Sequence, residues 1–184
     1  MKKDLINSIF VTIALTLLLG IIYPVVVTAL AQVLFRDKAN GQLLTRGGKV
    51  IGSRIIGQPF TGPRYFHARP SAAGSGYDGG SSGGSNLGPT NSRLVQRVRE
   101  ETREEGHALP VDLVTTSASG LDPDITPAAA YFQVGRVSHE RHLDIQMVKR
   151  IVDRHIQRRQ LGILGEPRVN VLELNLDLDG MPSR

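Results

Sequence analysis

Few residues in this chain have the type and spacing to do chemistry, and their surroundings argue against most of it. Gly74-Ser75-Gly76-Tyr77-Asp78-Gly79 matches G-x-G-x-x-G, the pattern that brings a pyrophosphate close to backbone amides between a strand and a helix. Here more Gly and Ser follow, and no helix pattern opens for about twelve residues, so the match is a chance one in a Gly-rich loop. No G-x-x-x-x-G-K-[ST] occurs, which excludes a P-loop. His139 and His142 flank Glu140 near a helix end, but a metal site needs a third ligand at a recognisable distance, so the pair reads as capping histidines. Asp122-Pro123-Asp124 before Thr126-Pro127 reads as a turn and cap rather than a catalytic carboxylate pair. His155 falls on an apolar face, where a core histidine belongs, and Ser71, Ser85 and Ser119 lack any G-x-S-x-G elbow. The reading is a chain with no catalytic or metal residues and no cofactor bound directly.

The element that organises the rest is Ile9 to Phe35, twenty-seven residues without a charge. As a helix it reaches roughly 40 Å, more than the ~30 Å hydrocarbon core of a bilayer. Lys2, Lys3 and Ala29-Leu30-Ala31 imitate a cleavable signal, yet the apolar run is about twice the length of a signal's core, so a retained anchor is expected. Ser8, Thr12, Thr16, Gly20, Pro24, Thr28 and Gln32 recur at every fourth position. Such a row makes one slowly drifting stripe, and small or hydroxylated residues let membrane helices approach. A packing surface for another transmembrane helix is one expectation; the alternative is that the hydroxyls merely bond back to their own helix.

Three divisions are expected: 1–35 as tail and transmembrane helix, 36–48 as linker, and 49–184 as one soluble α/β or α+β domain with a small sheet. Strands are expected from Lys49 to Gly57, from Pro110 to Thr115 and from Arg168 to Asp179, the last with alternating Leu172, Leu174, Leu176 and Leu178. Helices are expected from Asn91 or Ser92 to Glu105 with Gly106 as stop, after the Thr126 cap with Ala130, Tyr131, Val134 and Val137 on one side, and from Leu143 to Arg159. Ala72 to Asn91 is Gly-rich, but Asn86-Leu87-Gly88-Pro89-Thr90-Asn91 favours an ordered loop over a linker. With no Cys the redox compartment stays open. A net charge of +5 is interleaved with acids and no Trp is present, so nucleic acid is not an expected partner. Lys and Arg flank the span on both sides, leaving its orientation unsettled by charge.

Read together, Ile56-Gly57-Gln58-Pro59-Phe60, Tyr65-Phe66-His67-Ala68-Arg69-Pro70-Ser71, Ser82 to Asn91, Asp112-Leu113-Val114, Ser117 to Pro123 and Leu161 to Val171 resemble KdpC, the C subunit family of bacterial Kdp-type potassium-transporting ATPases. The resemblance covers nearly the whole length; Ala73 to Gly80 and Asp124 depart from the family pattern, at positions expected in loops. It implies a non-catalytic accessory subunit of an ATP-driven, high-affinity K⁺ import complex, needed for assembly and raising the pump subunit's affinity for ATP. The implied partners are a K⁺-selecting channel-like subunit, a P-type ATPase subunit and a small single-helix subunit, with ATP and K⁺ handled by the complex. The D-K-T-G-T motif of phosphorylated pumps is absent from this sequence. The resemblance also implies a single pass in the cell inner membrane, N-terminus cytoplasmic and C-terminal domain extracytoplasmic. A domain on that side cannot touch ATP, so any such effect would travel through packed helices. Helix packing would fall to Thr12, Thr16, Gly20, Pro24, Thr28 and Gln32. The loop Ser85, Asn86, Gly88, Pro89, Thr90 and Asn91 would form an interface or stabilise the domain's own fold. The competing class is a stand-alone membrane-anchored extracytoplasmic binding module or enzyme.

Overall fold

The computed structural model describes residues 2–105 and 109–181, which divide between Leu44 and Thr45 into two compact units. The first is dominated by one continuous helix, Lys2–Leu34, long and apolar enough to cross a membrane and with none of that span buried. It comprises α1 (Lys2–Leu17), a π-helical turn (Leu18–Ile22) and α2 (Tyr23–Leu34). Pro24 explains the turn. Proline has no amide hydrogen to continue the ladder, and just before it the Tyr23 amide donates to the Leu18 carbonyl, five residues back. A turn of helix, α3 (Arg36–Ala39), and the strand β1 (Leu43–Arg46) follow, so the expected linker carries regular structure.

β1 pairs with β2 (Lys49–Ser53), shorter than the strand expected to Gly57. Beyond it, α4 (Ser92–Glu105) runs as expected; its expected stop, Gly106, lies outside the described residues. Asn91 caps it, its side-chain oxygen accepting from the Arg93 amide at 2.9 Å. The strand expected at Pro110 to Thr115 is instead α5 (Val111–Val114), a single turn. Curling the chain there buries Val114, and lets Asp112 accept the Thr126 amide at 2.7 Å. A β-branched pair does not make a strand where no neighbour offers a ladder.

The core is built from α6 (Pro127–Arg141), α7 (Ile145–His155) and α8 (Val171–Asp179) around a small sheet. That sheet holds β3 (Asp124–Ile125), β4 (Ile156–Gln157) and β5 (Arg168–Asn170), antiparallel in the order β3-β5-β4, with Ile125 opposite Val169 and Ile156 opposite Val169. Asp124 therefore sits in a strand, not in the loop expected for it. Thr126 caps α6 by accepting from Ala129, and Asp144 caps α7 from Met147. Val134, Val137, Val148, Ile151 and Val152 interlock between these helices, while Tyr131 faces outward and bonds Asp153. α7 ends at His155, sooner than Arg159, because Ile156 joins the sheet.

The largest departure from expectation is Arg168 to Asp179, where only the first three residues are strand and the rest is helix. Val171, Leu174, Asn175 and Leu178 are buried, a spacing of three and four rather than two. Asn170 caps by accepting from the Glu173 amide. Leu, Glu and Asp fit a helix better than a ladder. Asn175, expected on the wet face of a strand, is fully buried, donating to the Phe66 carbonyl and accepting from its amide, each at 2.9 Å.

Candidate functional site

The residues expected to make contacts fall into two groups, one in each unit. Along the long helix the four-residue row is real in sequence, and the π turn changes its geometry. In an unbroken α-helix, six steps of four residues drift about 240°; one inserted residue cuts this to about 140°, narrowing the stripe. Gly20 lies inside the turn, and a Cβ there would meet only Thr16, at 4.0 Å. Of the polar members, Thr12 donates to the Ser8 carbonyl at 2.8 Å and Ser8 to Leu5 at 2.8 Å. Gln32 exchanges hydrogen bonds with Asn40 at 3.2 and 3.3 Å. Ser8, Thr12 and Gln32 are thus satisfied within their own chain, and Thr16, Gly20, Pro24 and Thr28 continue the row between Leu, Ile and Val.

In the second unit the Gly-rich segment is an ordered loop zipped against residues 115–122. Ser71 is its hub, donating to the Gly120 carbonyl at 2.6 Å and accepting from the Tyr77 and Ala73 amides at 2.7 and 3.2 Å. The Tyr77 hydroxyl donates to Arg69 O at 2.6 Å, and burial raises its pKa. Amides that a G-x-G-x-x-G motif would offer to a phosphate are used internally: Gly76 and Asp78 donate to Ala73 O, at 2.8 and 3.2 Å. Further along, Gly83 donates to Ser119 O at 2.8 Å and Ser85 pairs with Thr116 at 3.1 Å. Gly120 makes the zip possible. Its φ is +67°, and a Cβ would fall 2.5 Å from Gly83 O and 2.7 Å from the Ala73 amide. Arg69 ties the facing segment down, donating to Thr115 O and Thr116 O and pairing with Asp122 at 3.4 Å.

The candidate loop residues therefore separate into two groups. Ser85 belongs to the zip and Asn91 to the α4 cap. Asn86, Gly88, Pro89 and Thr90 are exposed, Asn86 holds a left-handed φ of +52°, and a Cβ at Gly88 would meet nothing within 4 Å. Fold stability does not require glycine at 88; it does at 120. Sequence reasoning weighed Ser71 only as a nucleophile, placed Asn175 on a wet strand face and gave Gly120 no special role, although the close set Ser117-Ala118-Ser119-Gly120 signals a tight backbone approach. The His139 ring pairs with its neighbour Glu140, at 3.2 Å, and His142 is the left-handed cap of α6. Among the described residues no group of three or more His, Cys, Asp or Glu is arranged to hold a metal ion.

The geometry so far is that of an anchored domain with ordered, exposed loops. A family model described as "KdpC: K+-transporting ATPase, c chain" matches residues 5–180. The chain belongs to the KdpC family. A relative from Koribacter versatilis (strain Ellin345) is 60% identical, the match covering 98% of this chain and 96% of the relative. One from Acidobacterium capsulatum is 54% identical over 95% and 97%, and one from Mycobacterium tuberculosis (strain ATCC 25177 / H37Ra) 48% over 97% and 99%. Each bears the name Potassium-transporting ATPase KdpC subunit. The KdpC match takes in both the long apolar helix and the domain, so the anchor is part of the family's architecture.

Proposed function

We propose that this chain is a non-catalytic accessory subunit of an ATP-driven, high-affinity K⁺ import complex, and that it acts by holding the complex together. The observation that carries the reading is the match of a K⁺-transporting ATPase family across both the unburied apolar helix and the domain. In this reading residues 1–35 form the inner-membrane span with a cytoplasmic N-terminus, and 49–184 the extracytoplasmic domain. The face of Thr16, Gly20, Pro24 and Thr28 packs on a helix of the K⁺-selecting subunit, with Thr12 and Gln32 at its ends. Asn86, Gly88, Pro89 and Thr90 meet a partner in the complex, which also contains the P-type ATPase and small single-helix subunits. Any gain in the pump's affinity for ATP is an allosteric coupling through packed helices. Deleting this chain from its native host and measuring growth at limiting K⁺ tests the role. Loss of growth, restored by the full chain and not by residues 45–184 alone, is expected; normal growth after deletion contradicts it.

A further inference from the structure

A cleft of about 230 Å³ lies where β3, the cap of α6 and the start of β5 come together, and six charged side chains line it: Arg69, Asp112, Asp122, Asp124, Glu166 and Arg168. Five of them are paired within the chain. Arg69 meets Asp122 at 3.4 Å, and Arg168 meets Asp124 at 3.0 Å. Arg159, from outside the lining, reaches both oxygens of Glu166 at 2.7 and 2.6 Å. The sixth is Asp112, only 7% exposed. Its Oδ2 accepts the Thr126 amide at 2.7 Å. Its Oδ1 has no hydrogen-bond or ion-pair partner among the described residues, yet it is not sealed from the cleft that Asp112 lines.

The fold itself has no use for that charge. Holding the Thr126 amide takes one acceptor oxygen, which a neutral Asn would supply as well. A carboxylate nine-tenths buried is costly unless an opposite charge meets it. With the other three carboxylates neutralised, the cleft lacks one positive charge, and the free oxygen marks where it belongs. Small-molecule pockets run to about 300–1,000 Å³, so this smaller cleft suits an ion or one inserted side chain. A bare K⁺ needs a shell of oxygens. Those of Asp122, Asp124 and Glu166 are held by guanidinium groups, and among the described residues no three such ligands are arranged for a metal ion. An arginine fork prefers both oxygens of a carboxylate, and the Thr126 amide already holds one. An ammonium is a compact point charge and needs only the other.

The geometry points to Asp112 as the seat of a lysine ammonium that a partner subunit inserts into this cleft, bonded to Oδ1. This rests on the accessory-subunit reading above and adds one defined ion pair to it. The test uses the full chain in the complex, purified in mild detergent, with Asp112→Asn, which keeps an acceptor for the Thr126 amide and removes the charge. Recovery of the complex is expected to fall more than about tenfold. The melting temperature of the detergent-solubilised chain alone is expected to hold or rise, because an uncompensated buried charge is gone. In the wild-type complex a carbodiimide, which joins a carboxylate to an amine as an amide, is expected to link Asp112 to a lysine of a second polypeptide, read by mass spectrometry of the joined peptides. A purely structural Asp112 would lower the melting temperature when replaced and give no adduct. Should Asp112→Asn lower the melting temperature, the wild-type adduct decides. Undiminished recovery of the complex with Asp112→Asn, or absence of the adduct, overturns the lysine site. A melting temperature raised by KCl over NaCl in the wild-type chain and not in Asp112→Asn would show an alkali-ion site and overturn it too. In these cases the wild-type chain still co-purifies with other subunits, and the accessory role stands. Failure of the wild-type chain to co-purify with any of them would overturn both.

Discussion

Asn175 does the work of a strand without one. Its side-chain amide bonds both the amide and the carbonyl of Phe66, and both residues are fully buried. Asn175→Ala leaves two backbone groups unpaired in the core, at about 1–3 kcal/mol each. A loss of about 2–4 kcal/mol in urea unfolding of the detergent-solubilised chain is expected; a change below about 0.5 kcal/mol contradicts the role. His67 adds a pH dependence. Burial holds its pKa below the ordinary value, the Gly62 carbonyl opposes that, and the Arg136 guanidinium adds a smaller push down. A lowered pKa means that, as pH falls below about 6.5, the unfolded chain takes up a proton that the folded one refuses. Stability is therefore fully present above about pH 6.5 and falls with acidification from there until the folded-state value is passed. His67→Gln should flatten this slope below about pH 6.5 in thermal melts; an unchanged slope contradicts the assignment. Asp124, raised mainly by burial, works in the opposite direction at lower pH. None of this is legible in sequence, because each effect depends on chain segments brought together from far apart.

At the scale of elements, helix α8 shows why the strand expectation failed. Alternating Leu satisfies a period of two, yet over nine residues the same letters also satisfy spacings of three and four. The deciding signals were local: Asn170 followed three residues later by Glu173 is a cap pattern, and acidic residues are poor in strands. The Thr126 cap of α6 was read correctly for the same reason, and of the two candidates for α4, Asn91 and Ser92, it is Asn91 that caps, each acting through its immediate neighbours. The loop was legible as ordered, but its two halves were not separable until Gly83 and Gly120 were seen back to back. That separation makes a paired prediction. Gly120→Ala should lower the domain's melting temperature by several degrees, because its Cβ collides with backbone on the facing segment. Gly88→Val should leave melting unchanged and reduce assembly several-fold. The reverse order of effects in calorimetry and co-purification would contradict the division.

For the whole molecule, the anchor was the most legible feature and the one most refined. Hydropathy gave a span; Pro24 and the π turn at Leu18–Ile22 give that span a narrowed small-residue face. Thr12 and Gln32 already bond within their own chain, so the proposed helix contact would rest on close approach rather than on polar pairing. The central claim, that this chain is a subunit rather than an independent membrane-anchored module, is tested most directly by what it brings out of the membrane. The affinity-tagged full chain should be purified in mild detergent from its native host grown at limiting K⁺. Recovery with several other membrane proteins in fixed ratio, one of them a P-type ATPase, is the predicted result; recovery of the chain alone, stable and monodisperse, would contradict the account.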